Sequence, residues 1–279
     1  MKKLLLLVMI FIWQNNFAQI YIYTAKKEFI PAEIKLTNGE IISGYIKEFN
    51  VPNAIELPEF SLNFNLEAEL RLDRTKFNFK KTLEGSSEKI DLNSIKSITL
   101  KGEDTITYEK LKLKTINSKL EVVDLEREIM APLIKPGKIN IYGLKAYECS
   151  SGYGCSLMWV LTYIKKPNDE FAYIPVDYNR LNIFNLGKID DKFFRAFEEV
   201  GKDCPEFLNY TADKKAKFSD KAYRKELAAV RKQFDKDKKE KLKQIKSNRE
   251  RIKAEDDMET QFYLKFYLDE IKEYSSRCE

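Results

Sequence analysis

No histidine occurs among the 279 residues, and that absence decides much of the chemistry open to the chain. Histidine is the side chain that ordinarily titrates near neutrality, the usual base beside a serine or cysteine nucleophile, and a frequent zinc ligand. Ser-His-Asp and Cys-His catalysis and the common histidine-containing zinc sites are therefore excluded. Ser86 and Lys89 do stand at Ser-x-x-Lys spacing, which can pair a nucleophile with its base, but they sit in a polar turn without partner motifs and read as solvated loop. Paired carboxylates could hydrolyse a glycoside, yet with 44 acidic residues no pair stands out. Glycine-rich phosphate loops and calcium-loop patterns are absent. The sequence thus assigns no catalytic residue, no cofactor and no metal ligand.

Two residue types remain informative. Cys149 and Cys155 flank a connection containing Gly152 and Gly154, and pairing of the strands on either side would bring them together across a hairpin end. Their spacing is not Cys-x-x-Cys and no helix follows to lower a thiol pKa, so they read as a structural disulfide and not a redox pair. Cys204 and Cys278 form a second candidate pair, able to meet only if the C-terminal segment folds back. The basic residues concentrate between Arg231 and Lys253, where eleven Lys or Arg stand against four acidic residues, a local charge of +7. Lys238, Lys239, Lys241, Lys243, Lys246, Arg249 and Arg251 are its candidate anion-binding residues. Nucleic acid, anionic lipid head groups and acidic polysaccharide are the chemistries such a run can meet, and a solvated helix face is the plainer reading. Only Phe234 interrupts the charges with an aromatic ring, which disfavours nucleic acid because bases have no platform to stack on.

The elements that must position these residues begin after a leader. Lys2 and Lys3, the apolar run Leu4 to Trp13, and Asn16-Phe17-Ala18 have the order of an export signal cleaved after Ala18. The run is shorter than the roughly 20 residues a bilayer span requires, and no cysteine follows it to take a lipid. Removing Lys2 and Lys3 leaves 47 basic against 44 acidic residues, a mature charge of +3, so the chain outside the basic span carries −4. No later stretch is long and apolar enough to cross a membrane. Four cysteines suit an oxidising compartment: periplasm, cell envelope or extracellular space.

From Ala32 to Phe49 apolar and polar residues alternate about Asn38-Gly39, the pattern of a hairpin with a two-residue turn. Short strands are expected at Phe77 and Phe79, Ile90 and Leu92, Ile95 to Leu100, Ile106 and Tyr108, and Leu111 and Leu113. Glu121 to Met130 fits either period and reads as strand or linker. Between Gly137 and Val176 the alternation is clearest. Ile139, Ile141, Gly143, Lys145 and Tyr147 share one face, Asn140, Tyr142, Leu144 and Ala146 the other, and Leu157 to Ile164 and Phe171 to Val176 complete an antiparallel meander. Asp190 to Val200, ahead of Gly201, has the spacing of a short helix. From Glu206 onward there is neither glycine nor proline, and the composition is helical.

The fold class this predicts is α+β. An antiparallel β-rich body, as sheet, sandwich or open barrel, spans residues 19–205 after a signal at 1–18, and a charged helical tail spans 206–279. The tail carries two apolar stripes, Tyr223 to Phe234 and Met258 to Ile271. They either pair in a helical hairpin that turns at Ser247-Asn248, or lie on one long helix that needs a second protomer in a coiled coil.

The ending Phe17-Ala18-Gln19, the Asn38-Gly39 hairpin with Gly44-Tyr45-Ile46, Ile90-Asp91 with Ile95 and Ile98, and Gly137-Lys138 opening a strand resemble exported proteins of unknown function abundant in Bacteroidetes, particularly flavobacteria. The resemblance covers residues 1 to 205 and implies export and a β-rich body; it carries no activity across. Together these readings describe an exported binding or assembly protein of the cell envelope, partnered by another envelope protein or by a second copy through the tail. The rival is a histidine-free exported enzyme working through paired carboxylates.

Overall fold

The computed structural model describes residues 28–57, 70, 76–102, 105–150, 154–177, 188–218 and 220–278, so the expected export signal lies outside the described residues. Among the described residues eleven strands join one sheet, followed in sequence by helices. β1 (Ile30–Leu36) and β2 (Ile41–Lys47) form the expected hairpin. Its turn is wider than the two-residue form. The Gly39 amide donates to the Leu36 carbonyl at 3.0 Å, Asn38 Oδ1 accepts from the Glu40 amide at 2.9 Å, and Gly39 adopts a φ of +90°. A left-handed glycine behind a four-residue turn reverses the chain without splaying the strands.

β3 (Ala54–Leu57), β4 (Lys76–Lys80), β5 (Glu88–Asp91), β6 (Ile95–Lys101), β7 (Thr105–Ile116), β8 (Val122–Lys135), β9 (Asn140–Ser150), β10 (Gly154–Lys165) and β11 (Phe171–Ile174) complete the sheet. The two short strands expected at Ile106–Tyr108 and Leu111–Leu113 are one 12-residue strand. Tyr108 and Leu111, three positions apart, are both buried in the same core, so the alternation changes phase between them. That change falls where β7 exchanges partners. Thr105 to Glu109 pair antiparallel with β6, whereas Lys112 to Thr115 pair parallel with Phe171 to Ile174 of β11. The second pairing closes β7, β8, β9, β10 and β11 into a ring, which leaves those strands fewer open edges.

The ambiguous stretch Glu121 to Met130 is strand from Val122 onward. Its alternation fails at a bulge, where Lys112 pairs with Glu128 but Lys114 with Asp124, and Glu126 takes a φ of +49°. In the meander both faces are buried. Tyr142, Leu144, Ala146, Leu161 and Tyr163 enter the core shared with β1, β2, β4 and β6. Ile139, Ile141, Leu157, Val160 and Ile164 face the helices. Leu157 and Val160 share that side because the register shifts between Leu157 and Trp159. The ladder sets Cys155 directly opposite Cys149, as the hairpin reading requires, while their side chains lie outside the described ones.

The helices are α1 (Ile189–Val200), α2 (Pro205–Phe218), α3 (Lys221–Lys243), α4 (Asn248–Tyr263) and α5 (Lys265–Arg277). Asp190 and Asp191 sit inside the first turn of α1, where negative charge is favoured by the helix dipole, and Lys188 takes the cap position with no side-chain bond to the helix, its Nζ donating instead to the Ser118 carbonyl at 2.9 Å. Gly201 ends α1 for a reason of space and not of handedness: its φ is −97°, and a Cβ there would lie 2.4 Å from the Phe207 ring. Pro205 opens α2, where its missing N–H costs nothing. Aromatic rings fill the layer between helices, with Phe193 5.0 Å from Tyr267 and Phe207 5.3 Å from Tyr274.

The tail therefore folds back on the body as a hairpin and not as one long helix. Cys204 and Cys278 are joined by a disulfide with Cα atoms 5.8 Å apart. Beside it Lys138 Nζ donates to the Cys278 carbonyl at 2.6 Å, and Lys166 pairs with Asp203 at 2.8 Å. Farther along the same helix pair, Lys214 of α2 pairs with Glu270 of α5, which is fully buried.

Candidate functional site

The basic span becomes the distal part of the α3–α4 hairpin. Asp220 caps α3 by accepting from the Ala222 amide at 2.8 Å, and 23 helical residues without glycine or proline follow. Residues 244–247 reverse the chain. Ser247 then caps α4, its Oγ accepting from the Glu250 amide at 3.4 Å. Ser247 and Glu250 stand at the Ser-x-x-Glu spacing of a capping box, a start signal that locates this turn more sharply than the Ser247-Asn248 dipeptide alone.

Aromatic stacking and charge hold the two helices together. Phe234 stacks on Phe262 with ring centres 4.3 Å apart, and the Arg231 guanidinium lies 4.7 Å from the Phe262 ring. Arg231 also pairs with Asp235 at 3.1 Å and with Glu259 at 3.6 Å, while Lys238 reaches Glu259 at 2.5 Å and Glu255 at 3.4 Å. Burial works against the Lys238 ammonium, but the Glu259 carboxylate outweighs it and raises the lysine above its ordinary pKa. Asp256 then ties α4 to the sheet, accepting from Lys145 Nζ at 2.7 Å and from the Tyr147 hydroxyl on β9.

Between the helices lies an open cleft of about 490 Å³ lined by Asp235, Lys238, Lys239, Leu242, Lys243, Arg251 and Glu255. Of the candidate anion-binding residues, Lys238, Lys239, Lys243 and Arg251 converge on this cleft. Lys241 and Lys246 are exposed beside it, and the Arg249 side chain lies outside the described ones. Lys238 holds the hairpin together through its ion pairs, which leaves Lys239 and Lys243 as the outward charges of the cleft. Asp235 and Glu255 are the carboxylates that a histidine-free enzyme would recruit here. Their side chains are 50% and 47% exposed, and each is paired with a cation of α3.

The body contains a tighter polar cluster that sequence reading missed. Lys165 Nζ meets Glu109 at 2.5 Å, the Tyr142 hydroxyl donates to the other Glu109 oxygen at 2.7 Å, and Asn140 Nδ2 donates to that hydroxyl at 2.9 Å. Burial, followed by the Glu109 carboxylate, pushes the Tyr142 phenol above its ordinary range. The carboxylate is single and both its oxygens are engaged, so the cluster ties β7, β9 and β10 together. Its residues are 33 and 56 positions from Glu109 in sequence, and only the strand register reveals the grouping. Ser86 and Lys89, in contrast, are both exposed, Ser86 just before β5 and Lys89 within it. No group of acidic and cysteine side chains suited to a metal ion occurs among the described residues.

No family model, curated protein or solved structure matches the chain. Among the described residues, no helix is long and apolar enough to cross a membrane.

Proposed function

We propose that the protein is an exported binding or assembly protein of the cell envelope, without catalytic activity, whose α3–α4 hairpin presents its basic face to an anionic partner. The observation that carries this reading is the segregation of charge. Several cations of the body are paired with carboxylates, as in Lys165 with Glu109 and Lys112 with Glu170, and the mature chain outside residues 231–253 carries −4 against +7 within them. Lys239, Lys241, Lys243 and Lys246 are exposed together at the hairpin. A field of one sign on a projecting element speeds encounter with an opposite charge and weakens as salt rises.

Two measurements test it. Mass spectrometry of cell fractions is expected to find a mature chain beginning near Gln19 in the envelope or medium; intact Met1 in the cytoplasm overturns export. The purified mature chain is expected to bind a heparin matrix at low salt and to elute as salt rises. The triple variant Lys239→Glu, Lys243→Glu, Lys246→Glu is expected to pass through, and unchanged retention of that variant overturns the hairpin as the binding element.

A further inference from the structure

We propose that the anionic partner of the hairpin is a lipid surface: the tip of α3–α4 docks on a bilayer rich in acidic head groups, with Ile252 entering the interfacial layer. This rests on the binding reading above and narrows it. Residues 239–253 hold seven basic residues against two acidic ones, Glu240 and Glu250. A charge run alone does not choose among polyanions. The choice comes from a second observation: Ile252, 60% exposed, is the most exposed large hydrophobic among the described residues, and it stands between Arg251 and Lys253. Half-buried Leu242 and Ile245 lie on the other limb and in the turn of the same tip.

Basic residues around an exposed aliphatic side chain are the two ingredients of interfacial binding, attraction to acidic head groups and burial of an apolar group among acyl chains. An acidic polysaccharide would use the lysines but gain nothing from Ile252, and a protein partner would have to set an apolar pocket for it among its carboxylates, whereas an anionic bilayer offers both layers everywhere. Single-stranded nucleic acid would call for exposed rings, whereas the one aromatic ring of the basic span, Phe234, is stacked on Phe262 within the hairpin. The lysine stems, four carbons long, allow the ammonium groups to reach phosphates while the helix lies at the head-group level.

The test is co-flotation of the mature full-length chain with vesicles of phosphatidylcholine alone and of phosphatidylcholine mixed with about one third phosphatidylglycerol, the anionic content on which such attraction depends. Binding is expected only to the anionic vesicles, and it should weaken as salt rises. Ile252→Ser is expected to weaken vesicle binding roughly fivefold while leaving heparin retention unchanged, because charge is kept and only the apolar contact is lost. Lys243→Glu with Lys246→Glu is expected to lower both by tenfold or more, on the order of the attraction several lysines provide. Absence of binding to anionic vesicles at low salt, or equal vesicle binding by Ile252→Ser and the parent, overturns the lipid assignment. Heparin retention without vesicle binding does so while leaving the proposed function intact; loss of both overturns both.

Discussion

Glu270 depends on one neighbour to a degree no surface ion pair does. It is fully buried, its Oε1 meets Lys214 Nζ, and its Oε2 has no hydrogen-bond partner. Burial pushes the carboxyl above its ordinary range, and Lys214 offsets only part of that. Replacing a buried partner leaves an uncompensated charge, which typically costs about 3 to 5 kcal/mol. Lys214→Met is therefore expected to lose about 3 kcal/mol of unfolding free energy at neutral pH, read from urea titrations. The sign of the pH dependence follows from the raised carboxyl. Without Lys214 the folded value rises further above the unfolded one, so the deficit grows as pH climbs from the parent's already raised value toward the variant's higher one. It shrinks at acid pH, where the protonated group carries no charge. A deficit that does not change between acid and neutral pH would mean the lysine acts through packing alone.

At the scale of elements, the α3–α4 hairpin and the β7–β11 ring differ in how much of them the sequence disclosed. The hairpin was half legible. Two apolar stripes and the break at Ser247 framed it as one of two arrangements, and what decided between them was long-range: Phe234 stacking on Phe262, and Asp256 bonding to Lys145 and Tyr147. The meander was readable because Tyr142, Leu144 and Ala146 alternate cleanly with Ile141, Gly143 and Lys145. The ring was not, because a parallel pairing of Lys112 with Phe171 leaves no local signature. The bulges at Glu126 and Met158 likewise break the period that a reader relies on. The lysines of the candidate site were visible from composition; their separation into Lys238, which binds the helices together, and Lys239 and Lys243, which face water, was not. Because the hairpin relies on few buried contacts, its caps carry a large share of its local stability. Ser247→Ala removes the capping oxygen and is expected to cost about 1 kcal/mol locally. In hydrogen-exchange mass spectrometry, amides in the first turn of α4 should then exchange about fivefold faster, with β9 and α1 unaltered. Uniform acceleration across the chain would show that the hairpin unfolds only with the whole.

The structure is a β-body with a helical layer laid over one face of its meander, and the four helices after α1 are fastened where they begin and where they finish. Cys204 and Cys278 are separated by 74 positions, and closing so long a loop removes much of the unfolded chain's freedom. In the loop-entropy model this stabilises the fold by about 4 kcal/mol. Cys204→Ser with Cys278→Ser is expected to lower the denaturation midpoint accordingly. Light scattering is expected to give a monomer for the parent, since Phe262, Leu264 and Tyr267 are covered within one chain. A dimer in the parent would point to the tail's basic face or sheet edges as a second contact. The same bond makes the helical layer a covalent loop with its hairpin at the far end. An endoprotease cutting among the lysines of the turn would sever the peptide chain without parting the molecule, because one fragment keeps Cys204 and the other Cys278. The lysine-rich turn, exposed to solvent, is thus also one whose scission the architecture survives.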